Sequence, residues 1–166
     1  MKPRRALAAA ALAWAFALPA AAQQYASDAL YDWSEGDVPP APAWSERDLI
    51  DADLPGRGVR VGIDPATITP DIKTGVVRYV AVARGVAAVN ASYEGIRCAT
   101  GDWRVYARQI PGENWASASG GWQEMRDARS PHAWWFAKTG ICEAHAMRSD
   151  ARDILRLFKN GRSGGG

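Results

Sequence analysis

The chain is poor in the residues that carry most catalytic and metal chemistry: two cysteines, two histidines and three methionines in 166 residues. Cys98 and Cys142 stand far apart, so there is no Cys-x-x-Cys, and neither dithiol exchange nor covalent haem attachment is available. With only His132 and His145, and no Gly-x-Ser-x-Gly elbow, a Ser-His hydrolase lacks its parts. Cys142, Glu143 and His145 could be read as metal ligands. An oxidised cysteine does not ligate, however, and two neighbouring ligands do not make a site, so no metal and no cofactor are expected. The carboxylates Glu94 and Asp102 lie beside arginines, which oppose the raised pKa that a glycosidase acid needs. After residue 22 there is also no long apolar run, hence no expected membrane span.

What is present begins with an export signature. Lys2, Arg4 and Arg5 form a basic start, Ala6 to Leu18 an apolar run, and Pro19 breaks it. Ala20-Ala21-Ala22 supplies the small residues that signal peptidase needs, which predicts a cleaved signal peptide over 1–22 and a new N-terminus at Gln23. No cysteine follows that site to take a lipid. The expected location is the periplasm. There, two cysteines read as one structural disulfide, Cys98 to Cys142, worth about 4 kcal/mol in the chain-entropy model.

Removing the leader takes three bases and no acid, so 20 Lys+Arg against 18 Asp+Glu become 17 against 18. A near-neutral chain gives no reason to expect nucleic acid as a partner. The charges are unevenly placed. Asp28 to Asp71 holds ten acids and three bases, whereas Lys73 to Arg162 holds fourteen bases and eight acids. An acidic arm docking on a basic body is one reading; a basic face meant for another molecule is the other. Seven of the eight tryptophans follow the leader, a density that suits large aromatic anchors in one small core.

Residues 23–55 read as an irregular arm. Val38-Pro39-Pro40-Ala41-Pro42 fits neither a helix nor a central strand, and Trp33 and Trp44 flank it as anchors. Residues 56–160 read as one α+β domain. Val59, Val61 and Ile63 alternate as a strand, followed by strands at Val76 to Ala83, Ala87 to Cys98 and Trp103 to Gln109. The short turns at Arg84-Gly85 and Thr100-Gly101-Asp102 make these antiparallel neighbours. Trp122 to Met125 is a further short candidate, so an antiparallel β-meander of about four to five strands is expected. Two C-terminal helices follow: one starting at Ser130-Pro131 and stopped by Gly140, the other capped by Ser149 and stopped by Gly161. Residues 161–166 have nothing to bury and are expected to be flexible.

The phase of the strands decides where chemistry could sit. A bulge at Gly95 would return Ile96 and Cys98 to the Tyr93 side and leave Arg97 beside Glu94. One outer face would then display Asn90, Glu94, Arg97, Arg104, Tyr106 and Arg108, with Ser92 among them. A carboxylate among guanidiniums suits an anionic or sugar-like ligand. The plainer alternative is a solvated face of weak ion pairs, or one covered by the arm.

Val77-Arg78-Tyr79, the string Asn90-Ala91-Ser92-Tyr93-Glu94-Gly95-Ile96-Arg97-Cys98, and Val105-Tyr106-Ala107 resemble the CNP1-like proteins of Gram-negative bacteria. Trp115, Trp122 and Cys142 are in keeping, so the resemblance spans roughly Trp44 to Phe158. Trp134-Trp135-Phe136 is a bulkier aromatic run than that pattern suggests. The resemblance implies a small exported domain with a Cys98–Cys142 disulfide and brings no catalytic residues.

Together these readings predict a non-enzymatic envelope domain that binds a ligand or protein partner. Two alternatives stand beside it. One is a periplasmic hydrolase using Glu94 as acid or base with Tyr93 or Tyr106 assisting; it requires a cleft at Glu94 and a carboxyl titrating near neutrality. The other is an assembly or surface module whose proline-tryptophan arm makes the contact.

Overall fold

The computed structural model describes residues 32–55, 58–126 and 130–161. The expected signal peptide, the first part of the arm and the tail after Gly161 lie outside the described residues. The chain forms two units, Met1–Glu35 and Gly36–Gly166, and the second contains every strand and helix named below.

Four strands make the body of an antiparallel sheet: β2 (Arg60–Ile63), β4 (Val76–Arg84), β5 (Val89–Arg97) and β6 (Asp102–Gln109). Two-residue and three-residue strands extend it: β1 (Ile50–Asp51), β3 (Thr69–Asp71), β7 (Ala116–Ser117) and β8 (Gln123–Glu124). The order is β1-β2-β4-β5-β6-β7, with β3 on β4 and β8 on β6. The expected meander is therefore its centre, and β1 draws the end of the supposed irregular arm into the sheet through Ile50 and Ile63. Valine-rich β4 is buried on both sides from Val76 to Val82, as a central strand should be.

Helix α1 (Pro131–Phe136) runs into a widened turn, Ala137–Ile141, followed by a small hairpin of β9 (Cys142–Glu143) and β10 (Ala146–Met147). Helix α2 (Ala151–Gly161) closes the domain. The fold is α+β with an antiparallel sheet, two C-terminal helices and one disulfide, Cys98–Cys142. Three local expectations are corrected. Ser130 sits at the N-cap of α1, but its side chain makes no cap hydrogen bond. Asp150, not Ser149, caps α2, its carboxylate accepting from the Arg152 backbone N–H at 2.8 Å. Gly140 does not end a helix; a Cβ there would lie 2.9 Å from the Phe158 ring, so the glycine lets α2 pack against that turn.

The sheet has two apolar faces. Val77, Tyr79, Ala81, Ile96, Trp103 and Val105 meet Phe136, Ile154 and Phe158 of the helices. Full burial of each such phenylalanine contributes about 2–3 kcal/mol. Val80, Val82, Ala91, Tyr93 and Ala107 form the second face, where Val38, Ala41, Trp44, Leu49 and Trp115 pack. The Trp44 indole N–H donates to Gln109 Oε1 at 2.5 Å. The proline stretch thus docks through apolar side chains. Among the acids of the arm, Asp51 forms ion pairs with Arg60 and Arg84.

Candidate functional site

The predicted polar face does not exist as one surface. Tyr79 pairs with Glu94 and Val77 with Ile96, so β5 keeps its alternation through Gly95. The bulge lies on the facing strand. Tyr93 pairs with Ala107 but Glu94 with Val105, which makes Tyr106 the extra residue of β6. Gly95 is there for a different reason: a Cβ on it would collide with the Tyr106 hydroxyl and lie 2.9 Å from the ring, so only glycine leaves room for that side chain. Asn90, Glu94 and Arg108 consequently share the helix-covered side, and Arg97, Arg104 and Tyr106 share the other. Asn90 and Arg108 are exposed near one end of the sheet, while Arg97 is buried. Arg104 stands over the Tyr106 ring at 5.2 Å, and Tyr106 leans on Tyr93 with 5.2 Å between centroids.

Glu94 is 1% exposed, a carboxylate inside the helix-side core. Its Oε2 accepts from the Tyr79 hydroxyl at 3.0 Å and the Trp103 indole N–H at 2.8 Å. Its Oε1 accepts from the Ser92 hydroxyl at 2.5 Å. His132 Nε2, carried by the first turn of α1, lies 3.1 and 3.0 Å from the two oxygens. An ionised carboxylate only accepts, so Nε2 is the protonated nitrogen of that ring. Burial pushes the Glu94 carboxyl up. The His132 charge and the hydrogen bonds from His132, Ser92 and Trp103 outweigh it and hold the group below its ordinary value. Burial and the Glu94 charge push the Tyr79 hydroxyl well above its usual range, so it stays a neutral donor. Trp103 and Phe136 both meet the His132 ring edge-on, at 6.1 and 6.0 Å. The sequence marked Glu94 but not His132, which lies 38 residues away and reads as a helix-end residue. The low-lying carboxyl is the reverse of what the hydrolase alternative requires.

A second constellation lies on the other flank of α1. Trp134, Ala137 and Lys138 follow helical spacing and face a cavity of about 490 Å³. Its other walls are Cys98 and Cys142, the turn residues Thr100 and Gly101, Glu124 of β8 with Met125 and Arg126 after it, and Ala144 and His145 of the small hairpin. The Arg126 guanidinium carbon is 5.3 Å and the Lys138 ammonium 5.5 Å from the centre of the Trp134 ring. Cys98, Met125 and Ala137 are buried and form the floor, whereas Arg126 and Lys138 are exposed at the rim. Among the described residues neither cation has a carboxylate ion-pair partner. Glu143, a metal-ligand candidate by its neighbours in sequence, instead pairs with Arg148 at 3.1 Å, and Cys142 is in the disulfide. The bulk of Trp134-Trp135-Phe136 is plain in the sequence, but its division is not. Trp135 stacks on Phe158 and Phe136 meets the same ring edge-on, and Trp134 is left to the cavity.

Among the described residues, no helix is long and apolar enough to cross a membrane. Residues 28–159 match the model of the CNP1-like family. Neither the comparison with curated proteins nor that with solved structures gives a match. The match covers most of the chain, and the protein belongs to the CNP1-like family.

Proposed function

We propose that this member of the CNP1-like family is an exported, non-enzymatic binding domain of the bacterial cell envelope, periplasmic once residues 1–22 are removed. Its working site in this reading is the cavity beside the disulfide. The observation that carries it is Trp134 with two rim cations over its ring, beside an apolar floor, in a recess of a size that suits a small molecule. The sheet-face version of the reading loses support, because Arg97, Arg104 and Tyr106 lie on the side that the Val38 to Trp44 stretch packs against. Glu94 fits a structural role: every donor around it comes from the domain itself.

The test is a two-dimensional NMR titration of the oxidised, processed protein with the small-molecule and macromolecular fractions of a periplasmic extract. Shifts from the small-molecule fraction at Thr100, Gly101, Ala144 and His145 support the reading. Broadening caused by macromolecules alone would replace it with a protein-interaction module. Export has its own check. Mass spectrometry of the protein from a periplasmic fraction should find Gln23 as the first residue, and intact Met1 in the cytoplasm would overturn it.

A further inference from the structure

Resting on the cavity reading above, we infer that the cavity takes an aromatic anion: a ring-bearing body that carries a carboxylate, sulfonate or phosphate. Three features converge on that class. The floor is rich in sulfur, with Met125 and the Cys98–Cys142 bridge lining the same recess as the Trp134 indole. Polarisable sulfur and an indole edge both favour an aromatic ring over a sugar or a flexible polar chain.

The charge at the rim sets the second requirement. Arg126 and Lys138 bring two positive charges to the lining, and among the described residues Glu124 is the only carboxylate in it. Both cations stand over the Trp134 ring and remain exposed at the cavity mouth, open to an incoming anion. A guanidinium offers paired donors to a planar or tetrahedral oxyanion, and the ammonium adds a point charge beside it.

The third feature is the backbone. Thr100 and Gly101 form the β5–β6 turn, which is fixed as a cavity wall by the Gly101 N–H donating to the Arg97 carbonyl at 3.0 Å and the Gly101 carbonyl accepting from the Met125 N–H at 3.1 Å, and which brings the Thr100 side chain to the lining. A ring entering edge-on to Trp134 would lie over Met125 and the disulfide, with its anionic substituent pointing back to the rim.

Two fluorescent probes separate the class from the site. Anilinonaphthalene sulfonate is an aromatic anion, and N-phenyl-naphthylamine is the same kind of ring system without the charge. The expected result is saturable binding of the sulfonate, with amide shifts at Thr100, Gly101 and His145. Arg126→Glu with Lys138→Glu should weaken it about tenfold or more, while binding of the neutral probe changes less than about twofold. Lys138→Arg should retain the sulfonate. If the neutral probe binds the cavity as tightly as the sulfonate, or the charge reversal leaves the sulfonate unaffected, the anionic class is overturned and the cavity reading stands. If neither probe nor the extract's small molecules move those amides, both fall. Exposed Arg126 and Lys138 can be reversed without touching the core, and an unchanged melting temperature verifies that the variant is folded.

Discussion

Glu94 and Trp134 anchor two polar centres on opposite flanks of one short helix, and they are built on opposite principles. Around Glu94 the donors belong to β4, β5, β6 and α1, so the carboxylate ties three strands to a helix. Around Trp134 the charged groups sit at the lip of a recess, exposed, and lean on an indole. A buried charge with all its partners inside the domain stabilises the fold and has little left to offer a ligand. Charges that rest on an aromatic surface at a cavity mouth contribute little to folding and keep their capacity for an external anion. The contrast teaches that the most perturbed group in a protein need not be the working one.

The sharpest way to stress both centres together is to cut the disulfide that links the sheet to the segment after α1. Cys98→Ser with Cys142→Ser should lower unfolding free energy by about 4 kcal/mol and open the cavity wall; urea denaturation with and without reductant measures the first effect. Glu94→Gln should cost about 3 kcal/mol, because four donors lose a charged acceptor, while probe binding at the cavity stays intact in the folded fraction. The same variant carries a pH signature. The Glu94 carboxyl lies below its ordinary value of 4.5 in the fold, so the stability it confers is present above that pH. It is lost as pH falls through the lower folded value. Melting temperatures between pH 6 and pH 2, over about that acid range, should therefore fall more steeply in the native protein than in Glu94→Gln. Trp44→Ala, acting on the second face of the sheet, should cost about 2 kcal/mol and leave both centres unchanged. Smallest in stability is Arg126→Glu with Lys138→Glu, within about 0.5 kcal/mol of the native protein, yet it is the variant expected to weaken binding of the aromatic sulfonate about tenfold or more.

Much of the fold was legible because it is local. The strand at Val76 reads from its valines, the turns from Arg84-Gly85 and Gly101, and the first helix from Ser130-Pro131; β4, β5, β6 and α1 lie there. The side of the sheet was not legible. Alternation separates Glu94 from Tyr93 but does not say which side a helix will cover, and here both sides are covered. Glycine at 95 suggested a bulge on its own strand, whereas its cause is a tyrosine on the next one. His132 and Lys138 were invisible as site residues for the same reason: their partners are brought together by tertiary packing, not by spacing. The apolar character of the Val38–Trp44 contact was hidden beneath the more conspicuous acids around it.

The notch between Gly95 and Tyr106 has a consequence for inheritance. A methyl group at position 95 would collide with the tyrosine oxygen, so Gly95 cannot be exchanged while Tyr106 stays. Across related chains the dependence should run one way: wherever glycine is replaced at 95, the large ring at 106 should be gone, whereas a smaller residue at 106 can stand beside the glycine.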